Sequence, residues 1–388
     1  MMEKYMIEQI GTDCSGCSAC ANVCPNNCIH MEPDEEGFFY PVISKADCVK
    51  CRRCDYVCPI VNTALAPSDG FKKAWGAYNV DSDTLRCSSS GGVFSALAEE
   101  IIEEGGCVFG AAFRPGFQTL HHIKVDNIKE LKCLIGSKYL QSEMEDCFVS
   151  VKNELANDRI VLFTGTPCQV AGLRSYLKKE YKNLLCAEVI CHGTPSALLW
   201  QTYLKQWDVL PKSVSFRNKN HGWKNYYLSI GFSNGKEYNK NRKDDAFMQM
   251  FLSNYCLRES CYHCVVKSEK SSGADMTLGD FWGIEKIIPS ENFRNGVSLV
   301  IVNTPKGEDY FKRIKGEQIE AFEVDYTQAV NRNSALNQSA LRPSERNDFF
   351  HDLKVLNWKQ MRKKYNQTKF TRIMKIIYSR VNKLKKIY

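Results

Sequence analysis

The sequence of 388 residues has no run of 18 apolar residues, so we expect no membrane-spanning helix. The first residues, MMEKYMIEQIGTDCSG, lack the basic start and the apolar stretch of a secretory signal, which predicts a cytoplasmic protein. Acidic residues are missing from residues 354–388, which hold twelve Lys and Arg, although the formal net charge of the chain is only +8. The rest of the chain is therefore mildly acidic, and a basic surface is expected only from this tail.

Cysteine, in contrast, is abundant, with 19 residues in a chain of otherwise ordinary globular composition. An odd number of cysteines in a long chain without a secretory signal disfavours a disulfide framework. The excess instead predicts metal or redox chemistry in a reducing compartment. The length predicts two or three domains.

Eight of the cysteines form a repeat. The segments CSGCSACANVCP (14–25) and CVKCRRCDYVCP (48–59) share the spacing Cys-x2-Cys-x2-Cys-x3-Cys-Pro. Closely spaced thiolates can ligate three corners of an iron–sulfur cube, and in the bacterial two-cluster pattern the fourth Cys of each run ligates the other cluster. The predicted ligands are Cys14, Cys17, Cys20 and Cys58 for one 4Fe-4S cluster, and Cys24, Cys48, Cys51 and Cys54 for the other. Zinc is the competing interpretation, but zinc sites generally use Cys-x2-4-Cys pairs.

The segments around the repeat suggest the domain limits. Between the two runs, IHMEPDEEGFFYPVI predicts a β-hairpin with a turn that ends at Gly37. Cys28 lies outside the spacing and is interpreted as a buried small side chain rather than a ligand. We expect a bacterial-type ferredoxin domain over residues 1–63, a linker over 64–73, a larger α/β domain over 74–345 and a basic helical tail over 346–388.

The larger domain mixes helix and strand patterns, so the chain is expected to be of a mixed α+β and α/β class. Residues 91–106 predict an amphipathic helix, and residues 159–177 and 184–204 each predict a strand followed by a helix. Residues 213–240 predict antiparallel strands with a hairpin turn at Asn234 and Gly235.

Two stretches before predicted helices carry candidate ligand-binding residues. In CSSSGGVF (87–94), the free N–H groups of the helix start could bind an anion such as a pyrophosphate, and a Ser N-cap is the alternative. In FTGTPCQVAGL (163–173), Gly165 and Thr166 lie where a strand leads into a helix, the usual ligand edge of an α/β sheet. Cys168 falls in the first turn of that helix, where the dipole would stabilise a thiolate. No Gly-Lys-Ser/Thr follows, so the stretch is not a Walker phosphate loop.

The other cysteines of the larger domain divide into candidate ligands and core residues. Cys261 and Cys264 form a Cys-x2-Cys pair, which in a chain with iron–sulfur clusters predicts a further metal site, and Cys191 ends an apolar strand at the ligand edge. His192 is interpreted as structural, with a ligand or acid role as the alternative. The cysteines interpreted as core residues are Cys107, Cys133, Cys147 and Cys186.

Seven motifs occur in an order that resembles the beta subunit of coenzyme F-420 hydrogenase/dehydrogenase, a family in which some members carry an N-terminal two-cluster ferredoxin domain. The motifs are SSSGGVFSALAEEI, GSKYLQS, FTGTPCQVAGL, VICHGTPS, FRNKNHGW, CYHC and MTLGDFWG. The resemblance covers about residues 10–340. It implies a protein that binds FAD and holds a third 4Fe-4S cluster in the larger domain.

The resemblance also implies roles for individual residues. The FAD site would be lined by Ser88, Ser89, Ser90, Gly91, Gly92, Gly136, Ser137, Lys138, Tyr139, Gly165, Thr166 and Gln169. The third cluster would be ligated by Cys191, Cys261 and Cys264, with Cys168 as the fourth ligand and Cys256 as the alternative. Lys138 would favour the anionic reduced flavin or else be a solvated lysine. Asp280 would lie near the cofactor or cap a turn.

The implied function is an oxygen-sensitive iron–sulfur flavoprotein oxidoreductase, which passes electrons between a hydride donor or acceptor, FAD and the clusters. The alternative is a non-enzymatic electron-transfer or accessory subunit of a larger redox complex. The motifs identify no catalytic residue, and they do not distinguish a nicotinamide from a deazaflavin or a redox partner protein from a small-molecule donor. Similar chains often accompany surface-polysaccharide biosynthesis, which suggests a redox step there.

The C-terminal residues fall outside the resemblance. In FTRIMKIIYSRVNKLKKIY (370–388), Lys and Arg face away from an apolar helical stripe of Phe370, Ile373, Met374, Ile377, Val381 and Leu384. Such a helix could bind an anionic membrane surface or an acidic partner, and docking on the chain's own larger domain is the favoured alternative. Nucleic-acid binding is not expected, because no recognised module accompanies the tail.

Overall fold

The computed structural model describes residues 6–62, 71–268, 271–288 and 291–366. Most of the expected linker and the whole apolar stripe of the tail lie outside these residues. Within the described ranges, no helix has the length and apolar character needed to cross a bilayer. Helices and sheets are both present, which confirms the mixed class.

Residues 6–62, the N-terminal unit, form a small two-stranded sheet with short helices. The elements are α1 (Met6–Gln9), α2 (Ala19–Val23), β1 (Ile29–Pro33), β2 (Phe39–Ile43) and α3 (Arg53–Tyr56). Strands β1 and β2 pair antiparallel, so the expected hairpin is confirmed. Its turn contains Gly37 at a φ of +83°, a conformation that favours glycine.

Residues 71–366, the large unit, contain a nine-stranded mixed sheet. Its strands are β3 (Lys73–Asn79), β4 (Cys107–Phe113), β5 (Leu120–Val125), β6 (Ser142–Glu143), β7 (Val161–Gly165), β8 (Leu184–Val189), β12 (Met276–Asp280), β13 (Ser298–Val302) and β14 (Ile319–Val324). Their order is β14-β3-β13-β12-β8-β7-β4-β5-β6. Strands β12, β8, β7 and β4 run parallel, so their carboxyl ends meet at one edge.

Helices cover both faces of this sheet because each has an apolar side. Helices α5 (Val93–Glu103) and α12 (Pro305–Ile314) pack on one face, and α7 (Cys147–Ala156) and α8 (Pro167–Leu177) pack on the other. The shorter helices are α4 (Ser82–Cys87), α6 (Ile128–Leu131), α11 (Val265–Ser268) and α13 (Tyr326–Val330). Three of the four cysteines expected in the core are buried, whereas Cys133 is exposed because it lies in the turn after α6.

A second sheet packs with helices around an aromatic core. Its strands, in the order β11-β10-β9, are β9 (Pro211–Asn218), β10 (Tyr227–Phe232) and β11 (Glu237–Asn241), and its helices are α9 (Ala197–Leu204), α10 (Ala246–Leu252), α14 (Arg346–Val355) and α15 (Trp358–Tyr365). Phe349 and Met361 anchor α14 and α15 in this core, and Phe38 reaches it from the hairpin. The first part of the expected tail therefore packs on the chain itself.

Gly37 and Gly235 allow a matched test of the contact between the hairpin and the large unit. Both have a positive φ, +83° and +81°. A Cβ at Gly37 would meet Leu198 Cβ at 2.9 Å, whereas one at Gly235 would meet nothing within 4 Å. We expect Gly235→Ala to cost about 1 kcal/mol of backbone strain. Gly37→Ala should cost about 1–3 kcal/mol more, because Leu198 must move. Urea-unfolding midpoints of the anaerobically purified variants measure the difference, and equal midpoints would contradict a tight contact.

Candidate functional site

The thiols of the first cysteine run lie together with one thiol of the second run. Burial raises the pKa of Cys17 and of Cys20, and the neighbouring thiols of Cys14 and Cys58 raise both further. The N–H of Gly16 points at Cys14 Sγ from 3.4 Å. We call Cys14, Cys17, Cys20 and Cys58 the first thiol group. Its composition is the one that the reciprocal two-cluster pattern predicts.

Cys24, Cys48, Cys51 and Cys54 line one small cavity and form the second thiol group. Cys28 lines this cavity too, and its Sγ lies 3.3 Å from Cys24 Sγ. Burial, followed by contact with Cys24 and Cys48, raises the pKa of Cys28 to about 12. Cys28 is therefore buried, as expected, but it packs against the second thiol group.

A third group of thiols lies at the start of α8. We call Cys168, Cys191, Cys261 and Cys264 the third thiol group. Burial, followed by its neighbours Cys191 and Cys264, raises the pKa of Cys168 to about 12. Burial likewise raises the pKa of Cys261 to about 11, with Cys168 and Cys264 close by and the N–H of Thr194 donating to its sulfur at 3.3 Å. The expected stabilisation of a Cys168 thiolate by the helix dipole is thus outweighed by burial.

The first and third thiol groups adjoin each other. Cys168 is among the neighbours that raise the pKa of Cys17. A Cβ at Gly172, one turn further along α8, would lie 3.0 Å from Cys17 Sγ. Cys256, the alternative fourth ligand, is instead buried in the aromatic core of the second sheet. The structure therefore brings Cys168, and not Cys256, to the third group.

Each of the three thiol groups consists of cysteine side chains alone, and thiolates are the ligands that iron–sulfur clusters use. Among the described residues, no group of three or more His, Cys, Asp or Glu side chains forms a site for a single metal ion.

Arg258 joins the two units next to the first and third thiol groups. Its side chain, 1% exposed, donates to the carbonyl of Cys14 at 2.6 Å, to the carbonyl of Phe39 at 2.9 Å and to Gln141 Oε1 at 3.2 Å. The ring of Tyr40 lies 4.1 Å from the guanidinium carbon. All of these partners are neutral.

The charge of Arg258 acts on the thiol groups instead of on a carboxylate. No carboxylate of a described residue forms an ion pair with Arg258. Its charge opposes the burial that raises the pKa of Cys168 and of Cys261. Burying a charged group costs free energy, and negative charge on nearby thiolates would reduce this cost for Arg258.

A cavity of about 440 Å³ opens at the carboxyl edge of strands β7, β8 and β12. This is the edge at which α/β sheets bind ligands. The cavity is lined by Ser88, Ser89, Ser90, Gly92, Gly136, Ser137, Lys138, Tyr139, Gly165, Thr166 and Gln169 of the predicted FAD site. Cys168 and Cys191 line it as well, so the cavity and the third thiol group share a wall.

Gly91 is the one predicted FAD-site residue that does not line the cavity. Its N–H donates to Ser298 Oγ at 2.9 Å. A Cβ at Gly91 would lie 2.2 Å from the carbonyl oxygen of Ala77. Gly91 therefore allows its loop to lie close to β3, and it does not contact the cavity.

The N-terminus of α5 faces the cavity without a side-chain cap. The N-cap residue is Gly92, with a φ of +80°, so the alternative of a Ser N-cap is wrong. Ser89 Oγ accepts the N–H of Ser137 at 2.5 Å, whereas Ser88 Oγ is buried and has no partner among the described residues. Free amides and an unpartnered hydroxyl are groups that a phosphate-bearing ligand would satisfy.

Lys219 stabilises the loop before α5 through hydrogen bonds from its ammonium. Its ammonium donates to the carbonyls of Leu85, Ser90 and Asn295 at 2.6, 2.8 and 2.6 Å. Burial and the neighbouring charge of Arg217 lower the pKa of Lys219 to about 7. The three carbonyls oppose this effect, because only the ammonium has a proton for each of them.

Arg217 and Asp280 form a buried ion pair at the cavity. The guanidinium donates to both carboxylate oxygens, at 2.7 and 3.0 Å, and Trp223 Nε1 donates to Asp280 at 2.7 Å. Asp280 thus lies at the cavity, as one interpretation expected, but it is tied to a cation. Arg217 and Lys219 were missed by the sequence analysis, although their i, i+2 spacing places both on one side of β9 and its extension.

Lys138 lines the cavity, but its ammonium is hydrogen-bonded to its own loop. Its ammonium donates to the carbonyls of Leu134, Ile135 and Gly136 at 3.0, 3.2 and 3.2 Å. Burial lowers its pKa to about 8. The side chain of Lys138 is partly exposed, and its hydrogen bonds stabilise its own loop.

Burial lowers the pKa of two histidines that line the cavity. His122 donates from Nε2 to the carbonyl of Thr164 at 2.9 Å and accepts from Ser142 Oγ at 2.8 Å, and burial lowers its pKa to about 4. His192 Nε2 lies 2.7 Å from Asn254 Oδ1, and burial lowers its pKa too. His192 fits the structural interpretation. His122 was missed because the adjacent pair His121 and His122 in β5 belongs to no recognised motif.

Comparison with known proteins gives two family matches and one similar structure. Residues 158–326 match the family described as the C terminus of the coenzyme F420 hydrogenase/dehydrogenase beta subunit. Residues 13–61, which contain both cysteine runs, match the 4Fe-4S dicluster domain. No curated protein matches the chain. The structure is similar to a chain of the F420-reducing NiFe hydrogenase complex from Methanosarcina barkeri, with 13% identity, a TM-score of 0.47, and coverage of 70% of this chain and 96% of that chain.

The two sequence matches lie in the order that the motifs indicate. The dicluster match supports iron–sulfur clusters in the N-terminal unit. The second match spans β7, α8, β8 and the strands that follow, including the cavity edge. The chain is therefore an iron–sulfur redox protein in which a match to the 4Fe-4S dicluster domain precedes a match to the C terminus of the coenzyme F420 hydrogenase/dehydrogenase beta subunit.

Proposed function

We propose that this chain is an iron–sulfur flavoprotein oxidoreductase, with FAD in the cavity and a third 4Fe-4S cluster on the third thiol group. The observation that carries the proposal is the shared wall, since Cys168 and Cys191 belong to the third thiol group and also line the cavity. A bound flavin supplies exchange of two electrons with a hydride donor or acceptor and of single electrons with a cluster.

The cavity residues suit a dinucleotide with a flat ring. The uncapped amides at the start of α5 and the unpartnered Ser88 hydroxyl would bind the pyrophosphate. The aromatic side chains of Tyr139, Phe251 and Trp282 give the cavity the apolar surface that a ring system needs. Lys219 and Arg217 keep the surrounding loops in place.

The first and second thiol groups would each ligate one cluster of the N-terminal unit. Because Cys58 lies with the first run and Cys24 with the second, neither run can complete its cluster alone. Arg258 supports the assignment, because its uncompensated charge lies beside the first and third groups.

An electron-transfer or accessory subunit of a larger redox complex is the second candidate. The exposure of Cys51 favours it, because a thiol ligand at the surface lets a redox partner protein exchange electrons with the second thiol group. Reduction of the flavin by a nicotinamide or a deazaflavin donor without any partner would decide for the enzyme. Reduction that requires a partner protein would decide for the electron-transfer role.

Two finer expectations rest on the resemblance and the sequence alone. A step in surface-polysaccharide biosynthesis is one of them, and a small-molecule donor in place of a partner protein would be compatible with it. Contact between the basic tail and a membrane surface is the other, and it concerns residues outside the described part of the chain.

Iron and flavin contents test the third cluster. After anaerobic purification, the wild type should contain about twelve iron atoms, four for each cluster, and about one FAD per chain. The variant Cys261→Ser/Cys264→Ser should contain about eight, because two ligands of one cluster are lost. Cys256→Ser, a buried cysteine outside the group, should keep the wild-type value. Eight iron atoms in the wild type would remove the third cluster from the proposal, and absence of flavin would remove the enzyme.

Lys219→Met tests the role of the buried ammonium. The loss of its charged hydrogen bonds, worth about 1.5–3 kcal/mol, should free the Ser88–Gly92 loop and weaken FAD binding about 10- to 100-fold. Fluorescence titration of the FAD-depleted protein measures the affinity. The control is Lys224→Met, since Lys224 is exposed and pairs with Glu285. Equal affinities for the two variants would show that Lys219 does not shape the site.

A further inference from the structure

The second thiol group contains the exposed thiol among the described residues of the N-terminal unit. Cys51 is exposed, whereas Cys14 of the first group is only partly exposed and Cys17, Cys20 and Cys58 are buried. The first group also lies against α8 of the large unit. A partner protein can therefore approach Cys51 more closely than it can approach the buried thiols.

Positive charge in the N-terminal unit is concentrated around Cys51. Among residues 6–62, every Lys and Arg lies between positions 45 and 53, whereas most of the Asp and Glu lie elsewhere. Lys45, Lys50 and Arg53 are exposed and form no ion pair with a described residue, while Arg52 pairs with Asp55. A unit with more acidic than basic residues thus presents a basic face at its exposed cysteine.

Two large apolar side chains are exposed within this basic face. Val49, next to Lys50, is 61% exposed, and Tyr56 in α3 is 67% exposed. Lys178, at the end of α8, lies 5.9 Å from the ring of Tyr56 and extends the basic face onto the large unit. An apolar centre with a charged rim is the usual composition of a transient protein interface.

We propose that the face formed by Lys45, Val49, Lys50, Cys51, Arg53 and Tyr56 docks an acidic one-electron carrier protein. The basic rim attracts and orients a partner of opposite charge, and the apolar pair is buried on contact. The proposal names a partner for the proposed function, but it depends only on the N-terminal unit. It therefore stands or falls independently of FAD and of the third cluster.

The test uses the full chain with its clusters and an acidic bacterial two-cluster ferredoxin as the probe. We expect Lys50→Glu/Arg53→Glu to weaken binding about tenfold or more at low salt and to remove most of its dependence on NaCl concentration. The control is Lys205→Glu/Lys236→Glu, which makes the same charge change at exposed lysines of the large unit and should bind like the wild type. Isothermal titration calorimetry gives the affinities, and stopped-flow electron transfer gives a second measurement.

Three results would overturn the proposal. They are an unchanged affinity for the Lys50/Arg53 variant, equal weakening by both double variants, and no measurable binding of the wild type to the ferredoxin. Iron content is measured for every variant. If charge reversal removes iron, Lys50→Gln/Arg53→Gln replaces it, with an expected loss of affinity between those of the wild type and the reversed variant, and wild-type affinity in that variant would likewise overturn the proposal.

Discussion

The buried guanidinium of Arg258 is the interaction on which the arrangement of the two units depends. It binds the loop of the first cysteine run, the hairpin and Gln141 of the large unit at once. Because the guanidinium is almost fully buried and its hydrogen-bond partners are neutral, its burial costs folding free energy unless negative charge lies nearby. The first and third thiol groups both lie near Arg258, and their thiolates would supply that charge if they bind clusters as proposed. The side chain would then link the folding of the chain to the binding of its clusters.

The cavity gains its chemical character from its position at the carboxyl edge of the sheet. That edge places the start of α5, the start of α8 and the loop after β8 around one space. The α8 start contributes Thr166 to the cavity and Cys168 to both the cavity and the third thiol group. A site for an organic cofactor and a site for a metal cluster can therefore adjoin without a separate connecting element.

The sequence predicted features that depend on local spacing. The cysteine runs, the hairpin and the strand–helix units follow from spacing, turn residues and periodicity, whereas most of the cavity lining was implied by the family resemblance. It missed features that depend on contacts between distant segments. Lys219 reaches carbonyls from three different loops, and His122 gains its partners from two other strands. The side of the loop that Gly91 presents to the sheet, and the choice of Cys168 over Cys256, are likewise decided by tertiary packing.

The reciprocal pairing of the two runs has a consequence for biogenesis. The first thiol group needs Cys58 before it is complete, and it packs on α8, which the ribosome makes more than a hundred residues later. The third group needs Cys264, which is made later still. Iron delivered to a short nascent chain would meet incomplete ligand sets, so maturation is best matched to the synthesis of most of the polypeptide. If the thiol groups bind clusters as proposed, the chain would fold around its metal instead of receiving it into preformed sites one at a time.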